Sequence, residues 1–250
     1  MATDVESRLA DVEAGLRDLT ATVAKLTVAH QAAKPSEVLD LRFWTLMRDT
    51  GQQEDPDNGY PLDLVVPGKF YVTGDKGVAF TARAGGVSSS GSHFCRYELR
   101  QMVDAKGTKA AWNSKDRHRL DCVLSIDARN LKKRKRINGM QIHSGKDDVC
   151  QIMLHETRGL GFIHNDGKSW VDLEPKYVDG TPFKCSVEVA NNRIVVYYND
   201  SKKADVPKTG TTWFWKMGCY LQTDVPKYGE DPNATGTVII YSYALTGGGN

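Results

Sequence analysis

The sequence predicts an all-β antiparallel sandwich preceded by an α-helical coiled-coil stalk, and three observations predict it. Residues 1–31 repeat their apolar side chains in heptads. After Pro35 the chain changes to short runs rich in Val, Ile, Tyr, Phe and Thr, punctuated by Gly, Asn and Asp. Beyond residue 36 no helical period of useful length recurs, brief possibilities near 101–105 and 113–118 apart. Many strands without alternating helices point to antiparallel layers rather than a parallel α/β sheet.

The stalk comes first. Val5, Leu9, Val12, Leu16, Leu19, Val23 and Leu26 are spaced 4, 3, 4, 3, 4 and 3. A seam of this period cannot be buried by one helix, so copies of the chain are expected to associate through it. Leu9 and Leu16 at a and Val12 at d favour three strands. Gly15 weakens the helix and His30 closes the seam. The expected organisation is a coiled-coil oligomerisation helix over 1–31, a linker over 32–36 and a β domain over 37–250.

Composition narrows the function. The 33 Lys and Arg against 31 Asp and Glu leave a net charge of +2, which argues against a strongly basic nucleic-acid binder. No stretch approaches the roughly 18 apolar residues of a membrane span. The opening Met-Ala-Thr-Asp-Val-Glu-Ser-Arg lacks a basic start followed by an apolar run, so no secretory signal peptide is expected. Five scattered cysteines without a Cys-x-x-Cys pair suggest reduced thiols rather than zinc or redox chemistry.

Within the β domain, Val187–Val189, Arg193–Tyr198 and Gly236–Tyr241 read clearly as strands, and Asn191-Asn192 suits a hairpin turn between the first two. Three other segments carry the functional argument. In Arg96-Tyr97-Glu98-Leu99-Arg100, period two puts Arg96, Glu98 and Arg100 on one face. In Met140-Gln141-Ile142-His143, Gln141 and His143 share a face. In Lys216-Met217-Gly218-Cys219-Tyr220-Leu221-Gln222, Lys216, Tyr220 and Gln222 project together past Gly218. If the three strands are neighbours, these faces merge into a surface suited to an acidic, hydroxyl-rich ligand.

These motifs, in this order, resemble the alginate lyases of polysaccharide lyase family 7. That family carries an Arg-Ser/Thr-Glu-Leu-Arg strand, a Gln-Ile/Val-His strand and a Lys-x-Gly-x-Tyr-x-Gln strand. The likeness extends to Val38–Leu46 as an opening strand and Phe183–Asn199 as a late hairpin, and so covers about 36–245. Tyr97 stands where the family has a small hydroxyl residue, and Gln101-Met102 replaces Glu-Met.

The resemblance implies a β-jelly-roll and a lyase that removes the C5 proton of a uronic acid and expels the C4 oxygen. Arg96 and Gln141 are then expected to neutralise the sugar carboxylate. Tyr220 is expected to protonate the departing oxygen and, in syn elimination, to take the C5 proton as well, with nearby cations lowering its pKa. His143 is then expected to serve as base when that proton lies on the opposite face. Arg100, Lys216 and Gln222 are assigned to neighbouring sugars and Glu98 to holding the arginines. Neither metal nor cofactor is required.

Other features are blander. The run Leu131-Lys132-Lys133-Arg134-Lys135-Arg136 reads as a solvated loop, a cationic rim that steers an anionic glycan, or a nucleic-acid patch. His93, His118, His155 and His164 lack metal-ligand spacing, and the five tryptophans read mostly as core. Glycoside hydrolysis needs two carboxylates, whereas the polar strands offer only Glu98. The expected partner is an anionic polysaccharide, with a homotrimer through the stalk and no membrane. Lacking an export signal, the chain is expected in a virion, as a phage tail component among other tail proteins, or otherwise in the cytoplasm or released by lysis. The alternatives are a non-catalytic glycan-binding module or a structural attachment protein.

Overall fold

The computed structural model describes residues 15–16, 33–54, 61–88, 92–104 and 106–247. The chain divides into two compact units, 1–33 and 34–250. In the first, Gly15, Leu16 and Ala33 are described, of which Gly15 and Leu16 are helical. The heptad seam and its coiled coil otherwise lie outside the described residues. From Lys34 onward the expected linker belongs to the second unit. Pro35–Glu37 forms a buried-proline 3-10 turn, Lys34 Nζ lies 2.5 Å from Asp63, and the Ser36 hydroxyl donates to the Leu62 carbonyl at 2.6 Å.

The described strands, in chain order, are β1 (Trp44–Met47), β2 (Gln53–Glu54), β3 (Phe70–Val72), β4 (Val78–Arg83), β5 (Arg96–Gln101), β6 (His118–Asp127), β7 (Ile137–His143) and β8 (Asp148–His155). There follow β9 (Gly159–His164), β10 (Ser169–Glu174), β11 (Phe183–Ala190), β12 (Arg193–Tyr198), β13 (Ser201–Pro207) and β14 (Phe214–Leu221). A one-turn helix, α1 (Val225–Tyr228), precedes β15 (Thr235–Thr246). They form an eight-stranded sheet, β10-β9-β8-β7-β14-β5-β1-β2, and a seven-stranded sheet, β13-β12-β11-β6-β15-β4-β3, with antiparallel pairing throughout. This is the sandwich the sequence predicts.

Alternation places the core between the sheets. Leu120, Cys122, Leu124 and Ile126 of β6 are buried and meet Met140, Ile142, Met217 and Cys219 of the other sheet in one apolar cluster. The β11–β12 hairpin turns at Asn191 and Asn192, both with positive φ, as two-residue hairpins require. Neither brief helical possibility forms. Gln101 ends β5 and Met102 bridges Lys109, while the Asn113 side chain accepts the amides of Lys115 and Asp116 in a turn. The opening strand is shorter than expected, since a turn carries the chain from Leu41 into Trp44.

All five cysteines are free and buried. Burial pushes the Cys95 thiol up to about 11 and the Cys150 and Cys219 thiols to about 12.

Candidate active site

The three polar segments are β5, β14 and β7, side by side in the middle of the eight-stranded sheet. Register then fixes which side chains meet. Tyr220 pairs with Arg96, Lys216 with both Arg100 and Gln141, and Phe214 with His143. Directly opposed residues share a face, so one polar face crosses three strands. Gly218, at φ +129°, lies where the β14–β7 register slips. A Cβ there would meet the Tyr97 carbonyl at 2.6 Å, so only glycine fits between Lys216 and Tyr220.

Glu98 sits at the centre and is 1% exposed. Lys216 Nζ lies 2.5 Å and Arg96 Nη1 3.2 Å from its Oε2, and the Gln141 amide donates to Oε1. Burial alone would raise this carboxyl, but Lys216 and Arg96 hold it below the ordinary range. Burial pulls the Lys216 ammonium down, with Glu98 opposing. The cluster of Arg96, Lys216 and Glu98 is thus net positive on a desolvated floor, a preorganised field for an anion. Arg96 Nε and Gln141 Oε1 are buried without a hydrogen-bond partner, which is unusual away from functional sites.

Tyr220 lies against this cluster. The Arg96 guanidinium is 3.9 Å from the centre of its ring, and its hydroxyl is 2.9 Å from Ser92 Oγ. Burial raises the phenol above its usual value, and Arg96 and Ser92 only partly offset it. The expectation that cations would make it a ready phenolate is therefore corrected: desolvation outweighs them, and the hydroxyl keeps its proton at neutral pH. That suits a general acid.

His143 is half-buried, with Nδ1 2.5 Å from the Ser144 carbonyl, Nε2 3.4 Å from Asp148 Oδ1, and its ring stacked on Phe214. Arg100 stacks its guanidinium 3.9 Å over the Phe214 ring. Arg96, Glu98, Arg100, His143 and Lys216 line a pocket of about 170 Å³ with Thr45, Met47, Gln53 and Phe214. Arg96, Gln141, Lys216 and Tyr220 are each less than a tenth exposed, and of these Arg96 and Lys216 line the pocket.

One assignment changes. Gln222 lies beyond the end of β14, where its amide donates to the Leu221 carbonyl at 3.0 Å, and it lines a separate groove over β8–β10 instead of joining Lys216 and Tyr220. Glu98, assigned to the arginines, is enclosed by Arg96, Lys216 and Gln141. Asp148 was missed by the sequence reading, because nothing in Asp147-Asp148 marks it until the slipped β7–β8 register puts it opposite His143. Burial raises its carboxyl, His143 opposing, and its other oxygen accepts from Gln151 at 2.6 Å. It is a second carboxylate near the cleft, but Glu98 has both oxygens engaged and leaves it no free partner for hydrolysis.

Of the tryptophans, Trp44, Trp112, Trp213 and Trp215 are buried and Trp170 is half-exposed at the groove. Among the described residues no three His, Cys, Asp or Glu side chains converge as a metal site.

Comparison with known proteins agrees with this geometry. Alginate lyase AlgAT5 of polysaccharide lyase family 7 is 29% identical, with a TM-score of 0.79 over 86% of this chain and 99% of that one. An alginate lyase from Corynebacterium sp. is 27% identical, with a TM-score of 0.76 over 86% and 98%. One from Klebsiella pneumoniae, 18% identical, shares the fold at a TM-score of 0.69 over 86% and 99%. No curated protein matches the chain. The alginate lyase family model matches residues 39–246, nearly the whole β domain, so the chain belongs to the alginate lyase family and is a polysaccharide lyase.

Proposed function

We propose that the chain depolymerises an alginate-like, uronic-acid polysaccharide by β-elimination in the pocket between β5, β14 and β7. The observation that carries this reading is the convergence of Arg96, Gln141, Lys216 and Tyr220 around Glu98, on one face of three adjacent strands.

Arg96 and the second N–H of Gln141 neutralise the sugar carboxylate, which makes the C5 proton more acidic and stabilises the enolate-like charge. As the C5–H bond breaks, its electrons form the C4=C5 double bond, and the C4–O bond breaks toward the leaving sugar. Tyr220 delivers its proton to that oxygen. When the C5 hydrogen and C4 oxygen lie on the same face, the tyrosine oxygen also receives the C5 proton as its own hydroxyl proton passes to the departing oxygen, so the phenol ends protonated as it began. When they lie on opposite faces, the acceptor is His143. Neither route needs a metal.

Heptad patterning of residues 1–31 supports a homotrimer, and a trimeric stalk carrying a glycan-cleaving head fits a phage tail component that degrades host surface glycan. Light scattering of the full chain should give three copies, and Leu16→Asp with Leu19→Asp should give one.

The product carries a C4=C5 double bond conjugated to its carboxylate, so ultraviolet absorbance on a panel of polyuronates tests the reaction directly. Tyr220→Phe should lower the rate about 100-fold or more while polymer still binds. Binding without absorbance change by the wild type would leave a glycan-binding module, and no binding would leave a structural attachment protein.

A further inference from the structure

A groove of about 660 Å³ runs over β8, β9 and β10, and Asp148 on its lining lies 3.4 Å from His143, which lines the smaller pocket. Gln151 pairs in register with Gln141, so the groove continues the same polar face. Its size is that of a ligand-binding cleft.

Two of its arginines are mounted in an uncommon way. Arg158 lies 4.5 Å over the Trp170 ring, and Trp170 is itself fixed: its indole N–H donates to Asp172 at 2.5 Å, and it packs so closely on Gly161 that a Cβ there would approach its ring to 2.1 Å. Arg134 lies 4.4 Å over the Tyr228 ring and donates to the Gln222 carbonyl at 2.9 Å. Neither has a close carboxylate, the nearest contact being Arg158 to Asp172 at 4.0 Å. Their neighbour Arg136, by contrast, is held by Glu156 through bonds of 2.8 and 2.9 Å. A guanidinium stacked by its face keeps its in-plane N–H edge available for an oxyanion.

The loop bearing Arg134 is also pinned. Glu230, 2% exposed, accepts the backbone N–H groups of Lys132 at 2.9 Å and Lys133 at 3.0 Å, with Arg134 N at 3.4 Å, from inside the basic run. Three basic residues, Lys132, Lys133 and Arg134, thus share a backbone that wraps one buried carboxylate. The lysine side chains stay exposed, while the pinned backbone fixes where Arg134 stands.

We propose that this groove is a second sugar-acid subsite, in which Arg134 and Arg158 bind the carboxylate of a uronic acid residue further along the polymer than the one cleaved, and that Glu230 is the positioning residue for Arg134. It rests on the reading of the chain as a uronic-acid lyase. Arg134 and Arg158 come from separate loops, both line the groove and both lie near enough to His155 to act on its charge, so one carboxylate reached by both is held at that end of the groove, and this sets which sugar enters the reaction pocket.

The test is kinetic and calorimetric on the full chain with the polyuronate it cleaves best. Arg134→Ala and Arg158→Ala should each raise KM on long polymer about tenfold with kcat within about twofold, and the double variant should flatten the salt dependence of kcat/KM. Glu230→Gln should raise KM in the wild-type background and add nothing to Arg134→Ala. A KM unchanged in both arginine variants, or kcat falling as far as KM rises, overturns the inference. If no polyuronate yields unsaturated product, the lyase reading fails alone, and calorimetry with alginate decides the groove. Binding weakened about tenfold or more in the double variant supports it; equal binding, or none by the wild type, overturns it.

Discussion

Both sheets carry a small network of arginine and carboxylate, and the two are built for opposite purposes. On the seven-stranded sheet Arg119 lies 2.7 Å from Asp121 and 3.3 Å from Glu188, which also holds Arg117 at 2.8 Å. These side chains keep a fifth to two-thirds of their surface in water. On the eight-stranded sheet Arg96, Glu98 and Lys216 have the same chemistry and similar distances, yet Glu98 keeps only 2% of its side chain exposed. An outer pair that is broken falls back on solvent. An inner one leaves a charge with nothing to replace its partner. Similar geometry therefore stands for a decorative network in one place and a committed one in the other, where the cations are already stripped of water.

Three changes test that contrast. Glu98→Ala should abolish turnover and cost about 3–5 kcal/mol in denaturant unfolding, because Arg96 and Lys216 then face each other unneutralised. Glu188→Ala should cost about 1 kcal/mol or less, since Asp121 still holds Arg119. Equal costs would break the comparison. Acid sharpens it. The Glu98 carboxyl is lowered in the folded chain, so its stabilisation is complete above the ordinary glutamate value of about 4.3 and is lost as pH falls through its lower folded value. The stability gap between wild type and Glu98→Gln should therefore be widest near neutrality and close in acid. The smallest effect belongs to salt. Raising ionic strength should erode the Arg119 network, whose charges are screened, more than the enclosed Glu98 one.

The sandwich and the shared face of Arg96, Gln141, Lys216 and Tyr220 were legible in the sequence because strand alternation is a strong local signal. Arg96, Glu98 and Arg100 declare one face without any knowledge of neighbours. What alternation does not give is depth, and depth reversed the expected direction for Tyr220 and enclosed Glu98. Nor does it give register. Asp148 reaches His143 only through a slipped pairing, and Gln222 leaves the polar face because β14 ends one residue before it. The basic run at 132–136 was ambiguous for a third reason, since its partner Glu230 lies almost a hundred residues away.

The fully enclosed cysteines have a practical consequence. Alkylating reagents attack thiolates, and burial both blocks access and suppresses ionisation at every one of the five sites. Incorporation of iodoacetamide, followed by mass, would then clock how often each layer of the sandwich opens. Cys150 reports beneath the eight-stranded sheet and Cys185 beneath the seven-stranded one, so the molecule carries its own pair of unlabelled probes for asking which sheet lets go first.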